Sequence, residues 1–325
     1  MKKLLALLLT LIVATVACIS LVGCGNNDEN GNTVAIYMPD GAPALAFSKL
    51  MHEKDDLGYG ATYTVVNADA IGSYVANGSA SVALLPVNAA SKLCTNGDNY
   101  KMVASVTHGN LFVIGKGSAT TLEELKGETV AVVNLPNVPG LTFKALLSDA
   151  GIAYTDNDAE KNANNVLLKP IDGTAVVASL SQYDYVVAPQ PAASTAVGKV
   201  TGTSIKMSLQ TLWGEGGYPQ AVLVVKSSLV KDNAFVTKLL SALSENSTEW
   251  IVTNATNAVQ AINDNFVEGG TSTLKAPVLT TEVVNGCNIS VKIASAEKSA
   301  VIDYLTKIRT VNPQAGNIVS DNFFA

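Results

Sequence analysis

Short apolar segments alternate along this chain with longer amphipathic ones, after an opening of a different kind. Lys2 and Lys3 precede an apolar run from Leu4 to Val16, and residues 25–30 are wholly polar. Beyond residue 32 the pattern predicts strands at Thr33–Met38, Thr62–Val66, Ser81–Leu85, Lys101–Val106, Leu111–Ile114, Thr129–Val133, Val166–Lys169, Tyr183–Val187 and Ala221–Val225. It predicts helices at Ala44–Met51, Ala70–Ala76, Asn88–Leu93, Gly140–Ala150, Thr174–Leu180, Ala192–Val197, most of Asn233–Phe266, and Ala294–Ile308. A short helix is expected over Thr121–Lys126, with Thr121 as N-cap and Glu124 at the capping-box position. Strands separated by helices imply an α/β fold with a largely parallel sheet and helices on both faces.

A basic start, an apolar stretch and small residues before a cut site mark an export signal. Leu21-Val22-Gly23-Cys24, followed by the polar stretch, resembles the lipobox of bacterial lipoproteins. The resemblance implies that residues 1–23 are a signal peptide, that Cys24 is lipidated, and that residues 24–32 are a tether. The location implied is extracytoplasmic, lipid-anchored at the outer face of the bacterial cell membrane. An uncleaved membrane helix over Leu4–Gly23 is the competing reading. Gly23-Cys24 and the abrupt polar tether have no role in a plain anchor.

The chain also repeats itself. Leu85-Pro86-Val87-Asn88-Ala89-Ala90-Ser91 is similar to Ala188-Pro189-Gln190-Pro191-Ala192-Ala193-Ser194. Pro39-Asp40-Gly41-Ala42-Pro43 with the following Ala44-Leu45-Ala46-Phe47 is similar to Pro136-Asn137-Val138-Pro139-Gly140-Leu141-Thr142-Phe143. Each copy sits where a strand ends and a helix begins. The simplest reading is two lobes of like topology, the alternative being coincidence in a chain rich in Ala and Pro. In open parallel sheets, ligands bind beyond the carboxyl ends of strands. A helix N-terminus there offers unpaired backbone N–H groups.

Composition narrows the partners. Removing Lys2 and Lys3 leaves 19 basic against 27 acidic side chains, a net of −8. That balance argues against nucleic acid and anionic lipid surfaces. Arg309 is the only arginine, so any Arg-forked carboxylate or phosphate site has one candidate. No Cys/His spacing suits a metal. Cys94 and Cys287 remain after the signal and lipid site, either as a disulfide or as buried thiols. No Gly-x-Ser-x-Gly elbow, Gly-x-Gly-x-x-Gly fingerprint or P-loop is present, and with two histidines a Ser-His triad is disfavoured. The chain is read as a non-enzyme without a cofactor.

Pro39–Ala46, Thr121–Val130 and Pro139–Leu147 together resemble the solute-binding lipoproteins of ABC importers. The nearest branch is the nitrate/sulfonate/taurine and thiamine-pyrimidine-precursor group. Tyr183–Ala193, Tyr218-Pro219-Gln220 and Asn312-Pro313 add to the likeness. It implies a type II periplasmic-binding fold: two α/β lobes, a central ligand cleft and two crossovers. Lobe one is expected to be 33–113 plus 218–325, and lobe two 114–217. The implied function is capture of a small molecule and delivery to an ABC permease, by a monomer. The alternative is a ligand-sensing or adhesive surface lipoprotein. Gln190-Pro191 departs from the Glu-Pro often found in this group, so no ligand identity carries over.

Candidate ligand contacts are Asp40, Gly41, Ala42, Pro86, Asn88, His108, Asn137, Val138, Pro139, Gly140, Thr142, Gln190, Trp213, Glu215 and Tyr218. Asp40 is placed either to meet a ligand cation or to cap a helix. Asn88 and Thr142 are placed equally to cap or to donate. Trp213 and Tyr218 would suit a flat ligand, or would pack a hinge. His108 lies in a tight turn and has a structural reading as well. The scarcity of arginine argues against an Arg-clamped site; an anion held by backbone N–H groups and hydroxyls stays open, and the preferred ligand is a neutral or cationic flat heterocycle touching Asp40, Trp213 or Tyr218.

Overall fold

The computed structural model describes residues 33–325. The expectations for the signal peptide, Cys24 and the tether lie outside the described residues.

The order in which strands join their sheets is the main fact of the architecture. The strands β1 (Ala35–Pro39), β2 (Thr62–Val66), β3 (Val82–Pro86) and β4 (Tyr100–Thr107) enter a first sheet. The next six enter a second: β5 (Leu111–Gly115), β6 (Thr129–Val133), β7 (Ala153–Thr155), β8 (Asn165–Ile171), β9 (Tyr185–Pro189) and β10 (Ser204–Ser208). The chain then returns to the first sheet with β11 (Ala221–Lys226) and β12 (Ile289–Ile293).

The first sheet runs β12-β4-β11-β3-β1-β2 and the second β10-β5-β9-β6-β8-β7. Within each, a parallel core (β2-β1-β3; β8-β6-β9) is followed by one antiparallel strand. That strand is β11 in the first sheet and β5 in the second, each delivered by a crossover from the other half of the chain. The sheets are therefore mixed rather than largely parallel, because the chain re-enters each half running backwards. The similar turns fall after equivalent strands: β1 and β6, then β3 and β9. The expected lobe boundary after Val113 falls inside β5, which pairs with β9 along its whole length.

The central strands are buried on both faces. Val222 and Val224 of β11 face one apolar cluster and Leu223 and Val225 another, all four at 0% exposure. Each such side chain contributes about 1.5–3 kcal/mol on burial. The first of these clusters is continuous across both sheets, from Leu85 and Val87 to Leu135 and Val138.

Three strands without a sequence signal, β7, β10 and β12, lie at or next to sheet edges, where one face meets solvent and the apolar pattern thins. The helix expected over Asn233–Phe266 is three helices, Asn233–Ser244, Thr248–Thr253 and Ala255–Asp264. Ser247 accepts the Trp250 amide and restarts the second. Thr121 and Glu124 make the expected reciprocal capping bonds, although only Glu123–Leu125 is helical. Cys94 and Cys287 are free buried thiols in different clusters, and burial pushes both up to about 12. Among the described residues no helix is long and apolar enough to cross a membrane.

The two crossovers touch. Gly109 has a φ of +87°, and a Cβ there would stand 2.7 Å from the Tyr218 ring. Gly217 has a φ of +71°, and its Cβ would stand 2.0 Å from the His108 carbonyl oxygen. Gly216 shares the left-handed backbone at +80° but has open space around it. Both alanine variants should lose about 1–2 kcal/mol to backbone strain. Gly217→Ala should lose at least ~1–3 kcal/mol more, because backbone cannot yield as a side chain does. Urea unfolding of Gly216→Ala and Gly217→Ala measures the difference; equal midpoints would refute the close approach.

Candidate functional site

The carboxyl ends of parallel strands from both sheets surround one cavity of about 570 Å³. The first sheet contributes Asp40 and Gly41 after β1, and Asn67 and Asp69 after β2. The second contributes Asn134 after β6, Asp172 and Thr174 after β8, and Gln190 after β9. Thr273 and Leu274 close one side. The volume lies in the range of small-molecule sites.

Asp40 does not cap the helix that follows it, Ala42–Ala46, whose N-cap is Gly41. Its carboxylate instead accepts three hydrogen bonds from the facing loop. Ser272 Oγ donates to Oδ1 at 2.6 Å, and the Thr273 amide and hydroxyl donate to Oδ2 at 2.8 and 2.7 Å. Gln190 is 3% exposed. Its Oε1 accepts the Ser194 amide at 3.1 Å and its Nε2 donates to Ser194 Oγ at 2.7 Å. It closes the first turn of the helix Ala192–Lys199 while lining the cavity.

Three carboxylates line the cavity, Asp40, Asp69 and Asp172, and no lysine, arginine or histidine does. Asp69 and Asp172 have no side-chain hydrogen bond or ion pair among the described residues. Asp172 sits at the N-cap of Gly173–Ala175 without a side-chain capping bond. Among the described residues no group of three His, Cys, Asp or Glu is placed to hold a metal ion.

Of the residues expected from sequence, the cavity gathers Asp40, Gly41 and Gln190. The others go elsewhere. Ala42 is buried in the cluster on the outer face of the first sheet. Pro86 ends β3, and Asn88 is buried, its Nδ2 donating to the Ala315 carbonyl. Asn137 is exposed. Val138 enters the shared apolar cluster, and Pro139 stands in the first turn of its helix. Gly140 is pressed against the Leu135 carbonyl. Thr142 is fully buried and shares a 2.8 Å hydrogen bond with the Tyr304 hydroxyl. Glu215 is exposed.

Trp213 and Tyr218 form an aromatic strap with Tyr304. The Tyr218 and Tyr304 rings stack at 5.3 Å and 8°, and Trp213 packs on them at 5.2 and 5.1 Å. Lys307 lies 4.2 Å over the Trp213 ring and pairs with Asp149. Burial pushes the Tyr218 and Tyr304 phenols up, so both stay neutral. The hinge-packing alternative for Trp213 and Tyr218 describes this placement, which is outside the cavity lining.

His108 stands at the first crossover, 2% exposed. Its Nε2 lies 3.1 Å from Glu297 and its Nδ1 3.0 Å from the Ser290 hydroxyl. Burial, with Lys292 nearby, holds its pKa below the ordinary 6.5, against the pull of Glu297. The neutral ring fits both contacts, donating to Glu297 and accepting from Ser290. Sequence reasoning missed the polar link between crossovers altogether. Asn110 and Gln220 exchange two bonds, amide to Oε1 at 3.0 Å and Nε2 to Oδ1 at 2.7 Å. Asn110 Nδ2 also donates to the Gln190 carbonyl at 3.2 Å.

No protein-family model matches the sequence, and no curated protein matches it. Solved structures do match in shape. An ABC transporter protein from Parabacteroides distasonis superposes with a TM-score of 0.69 at 18% identity, covering 90% of this chain and 98% of that one. The periplasmic aliphatic sulphonate binding protein SsuA from Escherichia coli gives 0.66 at 14%, covering 89% and 90%. The fold is that of the periplasmic binding proteins. A zinc-bound ligand binding component of an ABC-type import system from Staphylococcus aureus shares this binding-protein fold at 0.63 and 13%, covering 90% and 96%. In periplasmic-binding terms the cavity described above opens between the two sheets, at the strand ends where such a fold gathers ligand-facing turns.

Two outcomes follow for the site and its surroundings. Asp40→Ala leaves the Ser272 and Thr273 donors without their acceptor and should cost roughly 1.5–3 kcal/mol. Hydrogen exchange at Thr273 should rise by more than at Val225; unchanged protection would refute the loop anchor. His108 favours its neutral form when folded, so its contribution is present above 6.5 and is lost as pH falls from that value through the lower pKa of the folded state. Denaturant unfolding between pH ~7.5 and ~5.5 should show the loss, and His108→Gln should flatten it. A variant with the parent's slope would show that another group titrates.

Proposed function

We propose that this protein is an extracytoplasmic, lipid-anchored substrate-binding component of an ABC importer. It captures a small molecule between a lobe built on β1–β4 with β11–β12 and a lobe built on β5–β10. The observation that carries this reading is the cavity itself. Strand ends of both sheets line it, while the sheets are joined by only two connections, His108–Asn110 and Gly214–Gln220. A ligand touching both sets of turns stabilises the form in which they meet. The permease then distinguishes loaded from empty protein by lobe arrangement. The shape neighbours named for ABC import systems support the same reading, as does the lipobox-like Leu21–Cys24. Asp40, Gly41 and Gln190 are the sequence-derived contacts this proposal retains.

A thermal-shift screen with a metabolite library tests capture. At a hundredfold excess over Kd a ligand adds about 2.7 kcal/mol to stability. The same ligand should lower the radius of gyration in small-angle scattering. A library in which nothing raises the melting temperature would sink the proposal. Mass spectrometry on the membrane-associated protein should find an acylated Cys24 at the N-terminus; an unmodified Cys24 would remove the anchor from it.

A further inference from the structure

The cavity that the proposed function relies on carries a charge pattern that selects its ligand. Asp40, Asp69 and Asp172 line it and no basic side chain does. Two of the carboxylates come from the first sheet and one from the second, so both walls are negative. None is offset by an ion pair among the described residues. Asp40 is held by neutral donors alone, which fix its position without removing its charge. Asp69 and Asp172 do not cap their helices, so local structure does not account for them. Between them the lining mixes aliphatic Val133, Val176, Val177 and Leu274 with neutral polar Asn67, Asn134, Thr174 and Thr195.

We propose that the cleft binds an organic cation of the alkyl amine or diamine class, held by N–H donation to Asp69 and Asp172 across the two walls. This rests on the reading of the cavity as a capture site. Three alternatives lose on the same observations. A sulfonate would meet three carboxylates and no cationic side chain, with only neutral donors such as Asn67, Asn134 and Thr174 to hold it. A metal ion lacks a cluster of ligands close enough to chelate it. A quaternary ammonium ion calls for an aromatic cage, and the lining holds no aromatic ring. An amine on an aliphatic stem satisfies both the carboxylates and the valine and leucine surfaces between them. A cation between the walls is attracted by carboxylates on both sides.

Isothermal titration with 1,4-diaminobutane, tetramethylammonium, ethanesulfonate and zinc chloride tests the class. The diamine should bind one to one, weaken as salt rises, and lose at least tenfold in affinity in Asp69→Asn and in Asp172→Asn. Glu249→Gln, exposed on the helix Thr248–Thr253, should bind as the parent does. Diamine binding that both Asn variants leave unchanged would overturn the inference, because the cation would then sit elsewhere. Ethanesulfonate, zinc or tetramethylammonium binding in place of the diamine would overturn the ligand class while leaving capture intact. A protein that binds none of the four, yet is stabilised by another compound from the library, would also overturn the class; stabilisation by no compound at all would remove the capture reading beneath it.

Discussion

Everything in this molecule hangs on the two chain segments that pass between its sheets. They run side by side, and their backbones are bonded to each other: the Tyr218 amide to the His108 carbonyl at 3.3 Å, and the Gln220 amide to the Thr107 carbonyl at 2.9 Å. Asn110 and Gln220 add the reciprocal side-chain pair. Because each segment ends in a strand of the opposite sheet, neither sheet is complete without the other half of the chain. Pulling the halves apart would extract β5 or β11, each buried on both faces. Rotation about the paired segments keeps both sheets whole, since it needs only a few backbone dihedrals to change. The topology thus forbids separation and permits bending.

The two sides of that hinge are unequal. The aromatic strap of Trp213, Tyr218 and Tyr304 belongs to the apolar cluster that runs continuously under both sheets. The cavity is lined by members of the other two clusters, Leu274 on the first sheet's far face and Val133 and Val176 on the second's. Stacked rings contribute about 0.5–1.5 kcal/mol per pair beyond their buried area. The Thr142–Tyr304 bond and the Lys307–Asp149 pair tie the long helix Ala294–Val311 to the second sheet's first helix. One side is therefore packed and cross-linked, while the other holds water-accessible carboxylates. Motion that opens the cavity is resisted less there than motion that tears the strap.

Much of this was legible in sequence because strands buried on both faces must be apolar throughout. The segment Ala221–Val225 could be read directly, and Thr62–Val66 and Thr129–Val133 agree with the structure at both ends. The edge strands were not legible, since Ser204–Ser208 presents polar residues at three of its five positions. The site was half legible. The repeated Pro-containing turns pointed to β1, β3, β6 and β9, and the ends of β1, β6 and β9 do meet the cavity. The ends of β2 and β8 carry no such motif, yet Asp69 and Asp172 are there. The rule that ligands gather at carboxyl ends of parallel strands applies to every such strand. Applied to β2 and β8 it would have found both. Trp213 misled because an aromatic between glycines fits a ligand platform and a packed hinge equally well. Only the position of Tyr304, distant in sequence, decides between them.

Fold and ligand choice separate cleanly in this protein. The strand order, crossovers and cavity position follow from apolar patterning and from chain connectivity, and they are shared with proteins whose sequences agree at fewer than one position in five. None of those constraints fixes which side chain ends a strand. Residues 69 and 172 occupy turn positions that contribute little to the core, so their replacement is free to follow the ligand, whereas Asp40 also anchors the facing loop. Asp69 and Asp172 are exposed, so water screens the charge of the empty cavity. On the proposed reading, the charge pattern ties ligand choice to these side chains without altering the scaffold that brings them together.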